Sequence, residues 1–304
     1  MVSAHDAINT INEVYGAHQG FRALHAKGQF YAATFTAAPQ AAALCRAAHL
    51  QGTPVPAYVR FSDGSGHPRA RDPQQDVRGM AVSFRLPDGK GTDIVAQTAP
   101  RFPVRTPEAF LELTKAAGGA QRKPWLLPAF LSRHPKAVPA LIANLLAGAV
   151  RPPRSFLDRA YYAIHAFKWI APDGSERWVR YTWRAEHTDP ANGSAKNRNA
   201  NRLFDDLRER LETAPVRFTL EVQLAGQSDD PNDPTAVWGS DEHITAGTLE
   251  ITGLDEERQR ADAQGQIFVF DPTKLTDGIE ASDDPILAFR AAAYSESAKR
   301  RATH

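Results

Sequence analysis

YYAIHAFKWIAPDGSERWVRYTWRA, residues 161–185, decides the architecture of this chain. Two runs rich in aromatic and β-branched residues flank APDGS, whose Pro, Asp and Gly are turn formers. The stretch predicts a β-hairpin, and so an antiparallel neighbour pair. Outward from it the same signal repeats. GQFYAATFTA follows Gly28 with period-two apolar residues, and AYVRFSDGSG (57–66), RGMAVSFRL (78–86) and TDIVAQTAPRFPV (92–104) read as further strands. VRFTLEVQLA (216–225), GTLEITGL (247–254) and QIFVFDP (266–272) complete the set. Helices sit between strands: residues 6–18, PEAFLELTKAA opened by Thr106-Pro107 and closed by Gly118-Gly119, proline-broken pieces over 124–158, and the charged 199–212. There is no βαβ rhythm and no repeat. The pattern predicts one α+β domain over 1–304, built on an antiparallel sheet or barrel.

Bulk composition narrows the function classes. Net charge is +1, so no global field draws nucleic acid or an anionic membrane. The one cysteine, Cys45, excludes an internal disulfide and fits a reducing compartment, so we expect a cytoplasmic protein. MVSAHDAINTINEVYG lacks the basic start and apolar run of a secretory signal. AVPALIANLLAGAV (137–150), the longest apolar stretch, is too short to span a bilayer and predicts a buried helix. Phosphate-loop, zinc-protease, nucleophile-elbow and dinucleotide fingerprints are all missing. DPNDP (230–234) could hold a cation, although its residues are equally those of a loop.

Two places carry candidate chemistry. His25 lies in RALHAKG between an arginine, a lysine and a glycine, at the start of a strand. It reads either as a satisfied structural histidine or as an acid–base group at a barrel mouth. Near the C-terminus, ILAFRAAAYSESAKRR (286–301) sets Arg290 four residues before Tyr294, with Arg301 seven after it. On a helix these share one face. A guanidinium close to a phenol favours its phenolate, and a ferric ion favours it more. Spacing alone is met equally by a helix that packs its tyrosine on the protein body.

Taken in order, these pieces resemble the haem-dependent catalases, and more closely their short relatives, the catalase-related peroxidases. RALHAKG is similar to the family's distal-histidine motif R-x-x-H-A-K-G, and VRFSDGSG to its following strand. RDPQQDVRGMAVSF resembles R-D-x-R-G-F-A-V-K-F with a small insertion, and DIVAQTAPRF resembles D-L-V-G-N-N-T-P-x-F. FDPTKLTDGIEASDDPILAFRAAAY is similar to the family's F-D-P…G-I-E-x-S-x-D stretch ending in R-x-x-x-Y. The likeness runs from about Arg22 to Arg301 and is weakest over 115–215.

The resemblance implies a catalase-like closed antiparallel β-barrel with surrounding helices, holding haem b (iron protoporphyrin IX). Tyr294 matches the iron ligand, the catalase arrangement of tyrosine on haem iron, and Arg290 the arginine that stabilises its phenolate. His25 matches the distal acid–base histidine and Ser62 the serine that orients its ring. Arg22, Arg60 and Arg301 match arginines facing the haem propionates. Leu24, Phe102 and Phe110 match apolar residues on the distal side. Gln97 stands where catalases carry a distal asparagine, Pro103 where they carry a second phenylalanine, and Ala298 where a histidine follows the tyrosine. The chain also lacks the family's long N-terminal arm and C-terminal helical region, which implies a shorter access channel and a homodimer in place of a tetramer. The implied activity is reduction of hydrogen peroxide or organic hydroperoxides by a small organic electron donor, with weak catalase activity. Two alternatives stay open: an allene oxide synthase-type isomerase of fatty-acid hydroperoxides, and a non-enzymatic haem-binding or redox-sensing protein.

Overall fold

In the hairpin turn, the Ala171 carbonyl accepts from Gly174 N–H at 3.0 Å and Ala171 N–H donates to Ser175 O at 2.9 Å. Gly174 takes φ 84°, open to glycine because it has no Cβ. The flanking strands are β5 (Tyr161–Ile170) and β6 (Glu176–Ala185). The computed structural model describes residues 2–119, 123–186 and 199–302.

Six more strands join them: β1 (Gly28–Ala37), β2 (Val55–Asp63), β3 (Arg78–Arg85), β4 (Gly91–Gln97), β7 (Val216–Leu224) and β8 (His243–Leu254). All neighbours are antiparallel, in the order β4-β3-β2-β1-β8-β7-β6-β5. A β4–β5 pairing, Gln97 opposite Tyr162, closes the sheet into an eight-stranded barrel and leaves no free edge between them. A short strand β9 (Ile279–Ala281) pairs with Phe167–Trp169 of β5, on the edge that meets β4 at Tyr162.

Alternation decides which side chains fill the barrel. Phe35, Val59, Phe61, Val82, Phe84, Phe218 and Leu220 point inward and pack as one apolar cluster. The intervening residues face out, so on β2 Arg60 and Ser62 lie on the outer wall. Helices cover that wall: α1 (Ala4–Tyr15), α3 (Pro107–Gly119), α4 (Leu126–Arg133), α5 (Val138–Leu146) and α8 (Pro285–Ala302), with α2 (Pro39–Leu44), α6 (Arg202–Thr213) and α7 (Glu256–Ala263) elsewhere on the surface. A second apolar cluster of Phe102, Phe110, Phe130, Ile164 and Ile286 joins the outer wall to α3, α4 and α8.

Two expectations need correction. QIFVFDP is not a strand: residues 266–270 run outside any ladder, and Phe268 and Phe270 instead pack on Phe30, with ring centroids 5.8 and 6.0 Å away. Aromatic alternation signals a half-buried extended segment, and it does not require a hydrogen-bonded partner. The 137–150 stretch is a helix, but α5 buries only Ala140 and Asn144 along its length, and Leu145 and Leu146 are 69% and 83% exposed. The helix expected to close at Gly118-Gly119 is α3, which ends at Gly119. Gly118 is needed for close approach, because a Cβ there would lie 2.1 Å from Val14 on α1. DPNDP behaves as a loop: Asp230 and Asp233 accept from the backbone N–H of Asn232 and Thr235.

One buried histidine ties the barrel to pH. His49 stacks on Phe84 at 4.7 Å and burial lowers its pKa from 6.5 to about 3. Between those values the unfolded chain takes a proton that the folded one refuses, so His49 subtracts stability as pH falls from 6.5 towards 3. His49→Phe should remove this loss. Its unfolding free energy relative to the parent, from urea titrations, is expected to rise by up to about 1.4 kcal/mol per pH unit on acidification. A pH-independent difference would contradict the assignment.

Candidate haem site between the barrel wall and helix α8

The outer wall carries a cross-strand row. Gly28 on β1 pairs with Ser62 on β2, Ser62 with Gly79 on β3, Gly79 with Gln97 on β4, and Gln97 with Tyr162 on β5. Gly79 leaves a hollow in this row, and the His25 ring fills it. A Cβ on Gly79 would lie 2.7 Å from Ser62 Oγ and 2.8 Å from His25 Nδ1. Cross-strand pairing thus sets His25 over Gly79, between Ser62 and Gln97.

His25 arrives from the turn before β1. It is the one non-glycine residue with positive φ (54°) among those described. Its N–H donates to Gly64 O at 3.1 Å, and Ala26 N–H donates to Ser65 O at 3.0 Å, which hold the strained turn against the β2 end. Nδ1 lies 3.0 Å from Ser62 Oγ, leaving Nε2 as the free end of the ring. Burial first, then Arg60, Arg290, Arg22 and Arg78, lower the His25 pKa to about 3. The ring is therefore neutral at pH 7, and Nε2 or its partner nitrogen can accept a proton. Leu24, beside it, is half-buried.

Beneath the row, Asp63 and Asp72 meet Lys27 and Arg78. Arg78 Nε lies 3.2 Å from Asp63, Lys27 Nζ lies 3.4 Å from Asp63, and Lys27 also pairs with Asp72. This buried ionic core fixes the Lys27 end of the RALHAKG turn to β2 and β3. Burial is the main force raising the pKa of the Asp63 carboxyl, against the pull of Arg78 and Lys27.

Facing this wall, α8 presents Arg290 and Tyr294. Arg290 Nε and Nη2 donate to the Tyr294 phenol oxygen at 3.0 and 2.6 Å. Arg290 Nη1 donates to His165 Nε2 at 2.8 Å. Arginine has no acceptor, so His165 must carry its proton on Nδ1, which donates to Asp284 Oδ2 at 2.6 Å. Burial lowers the His165 pKa to about 4, overcoming the contribution of Asp284 and keeping the ring neutral. The other Asp284 oxygen accepts from Ile286 N–H at 2.8 Å, capping α8 just before Pro285. A helix cap, a strand histidine and an arginine thus fix one phenol oxygen. Ala23 N–H donates to Ser297 Oγ at 3.3 Å, which links the His25 turn directly to α8.

His165 and Asp284 were not legible as site residues. By alternation His165 belongs with Tyr161, Ala163, Phe167 and Trp169, which face the barrel core. The β5–β6 register shifts between Ala163 and Phe167, and this irregularity turns His165 outward to α8.

At the open end, three arginines converge. Arg22 makes a bidentate pair with Asp262 at 3.0 and 3.1 Å and donates to Phe268 O at 2.9 Å. Arg301 lies 3.5 Å from the same carboxylate and donates to Phe268 O at 3.4 Å. Arg60, 4% exposed, donates only to Ala26 O at 3.3 Å. Its Nε and that of Arg301 are buried with no hydrogen-bond partner among the described residues. One carboxylate against three guanidinium groups leaves two positive charges uncompensated, and a dianion with two carboxylates meets that need. Phe102 packs against Phe110 (centroids 5.1 Å) and lies 6.4 Å from His165, joining α3 to β5. Gln97 is the last residue of β4. Its place in the row sets it on the outer wall next to Gly79.

The residues fit haem: a doubly donated phenol oxygen suits a ferric ligand, a neutral imidazole stands on the opposite wall, and orphaned arginine nitrogens suit propionates. The family model described as "Catalase" matches residues 11–304. The chain belongs to the catalase family. Among catalase-family proteins it is 47% identical to a "Catalase-related peroxidase" of Mycolicibacterium paratuberculosis, over 97% of this chain and 93% of that protein. A "Catalase-related peroxidase" of Synechococcus elongatus is 29% identical, over 99% and 89%. Among solved structures a fungal catalase superposes with TM-score 0.79 at 20% identity, and a bacterial catalase with 0.76 at 21%. These cover 99% of this chain but 63% and 61% of theirs, so the catalase fold is shared while the chain spans about three fifths of their length.

Proposed function

We propose that this catalase-family protein is a haem b peroxidase that reduces hydrogen peroxide or organic hydroperoxides at the expense of a small organic donor. Family membership supports an oxidoreductase acting on peroxide. The observation that carries the reading is the Tyr294 oxygen, held by two N–H groups of Arg290 and braced through His165 to Asp284. Haem, when bound, supplies the redox-active iron. Tyr294 would ligate that iron, and Arg22, Arg60 and Arg301 would hold the propionates. His25, neutral at pH 7 and oriented by Ser62, would take the proton from one peroxide oxygen and return it to the other as the O–O bond breaks. The Gln97 amide would donate to the bound peroxide. The donor supplies two electrons and two protons, and the peroxide leaves as an alcohol, or water, plus water.

Gln97 favours peroxidase over catalase chemistry. Its extra methylene displaces the amide by about 1 Å relative to an asparagine, enough to misplace a second peroxide as reductant. The test is an optical spectrum of the purified protein before and after one equivalent of peroxide, followed by turnover with a phenolic donor. Expected are a haem band, donor oxidation, and slow dioxygen release. A protein without a haem band, or one that releases dioxygen rapidly with no use of donor, would overturn the reading.

A further inference from the structure

Five of the nine exposed large apolar side chains among the described residues lie between 125 and 150: Trp125, Ile142, Leu145, Leu146 and Val150. Three of them, at 142, 145 and 146, follow helical spacing on α5. The opposite side of the helix is fixed. Ala140 is buried, Leu141 packs on the second apolar cluster, and the Asn144 amide bonds both ways to the Arg101 backbone at 3.2 and 2.9 Å. The apolar face is therefore turned outward by its own anchoring, and Leu146 at 83% exposure stands proud as a ridge.

Along the sequence, charge beside the ridge is one-sided, although Arg133 is paired with Glu112 on α3. Residues 123–159 hold six lysines and arginines against one acidic residue, Asp158, in a chain whose net charge is +1. Lys136 comes two residues before α5, and Arg151 and Arg154 follow its end. All three are exposed. An apolar ridge of leucine and isoleucine, flanked by cations, has the composition of a helix that lies in a lipid headgroup layer. Flanking lysines and arginines are attracted to anionic lipid. A second copy of this chain is the weaker occupant. A two-fold contact through α5 would bring Lys136, Arg151 and Arg154 of both copies around one patch, like charge on like. A protruding ridge also needs a matching groove in a rigid partner, whereas fluid lipid accepts it as it stands.

We propose that the α5 ridge with its basic flanks is a peripheral docking surface for anionic lipid membranes. Docking there would place the protein beside lipid-borne peroxides, but the surface is defined independently of the haem reading and is tested without peroxide. The full chain, as purified, is sedimented with vesicles of phosphatidylcholine alone and of phosphatidylcholine mixed with phosphatidylglycerol. Expected is partition onto the anionic vesicles at least about tenfold above the neutral ones, weakened by salt. The double variant Leu145→Glu/Leu146→Glu should lose about tenfold or more in partition while keeping the parent circular dichroism and unfolding midpoint. Arg151→Glu/Arg154→Glu should lose the preference for anionic lipid. Absence of parent partition onto anionic vesicles overturns the proposal. So does partition that both variants retain, and so does a parent dimer that Leu146→Glu splits into monomers without vesicle binding, which would assign the face to a second copy.

Discussion

Tyr294→Phe should fold as the parent does and lose its haem. Phenylalanine keeps the ring in place on α8 and removes one oxygen, the oxygen that accepts from Arg290 Nε and Nη2. Two guanidinium N–H groups then lose their acceptor, at a cost of about 1–3 kcal/mol. Arg290 itself stays anchored, because His165 still accepts from Nη1. The expected result is a variant with parent-like circular dichroism, no haem band after reconstitution, and peroxide-dependent donor oxidation down by on the order of 10³-fold or more. Arg290→Gln should do less, weakening haem retention by about 10–100-fold, as removal of a partner of a ligand does. A Tyr294→Phe protein that retains the parent haem content and spectrum would remove Tyr294 as the ligand.

His25→Ala should separate binding from chemistry. In the proposed site α8 and the three arginines would hold the haem without His25, so the variant should keep its haem band. Its bimolecular rate with peroxide, followed by stopped flow, should drop by about 10²–10⁴-fold. The pH dependence of the parent adds a second readout. A base acts only when neutral, and burial with four nearby arginines keeps His25 neutral down to about pH 3. The rate should therefore show no loss through the ordinary histidine range near 6.5, and fall only as pH approaches 3. A parent rate that falls off with an apparent pKa near 6.5, or an alanine variant as fast as the parent, would exclude His25 as the proton carrier.

Much of this was legible from residue order. The 161–185 hairpin, period-two runs and turn residues predict an antiparallel sheet because those patterns report local preference and one buried face. Tyr294 with Arg290 was legible as a helical i, i+4 pair, and the hydrogen bonds form as that spacing requires. What failed did so for physical reasons. Residues 266–270 alternate like a strand yet pack side-on against Phe30, because alternation does not encode a ladder partner. The 137–150 run looked buried because hydropathy says how apolar a helix is and not which neighbour covers it.

Local residue order sufficed for the eight barrel strands, their turns, the phenol–guanidinium pair on α8 and the histidine at the β1 entry, since each depends on residues close in the chain. Only the tertiary structure decided the rest. Barrel closure at Gln97 and Tyr162 joins strands 65 residues apart and lines up Ser62, Gly79 and Gln97 around His25. The irregularity in β5 reverses His165 and gives Arg290 its brace, while Asp262 on α7 meets Arg22 across 240 positions of sequence. Such contacts follow from register and closure, which are set by the whole sheet at once and by no local run of residues.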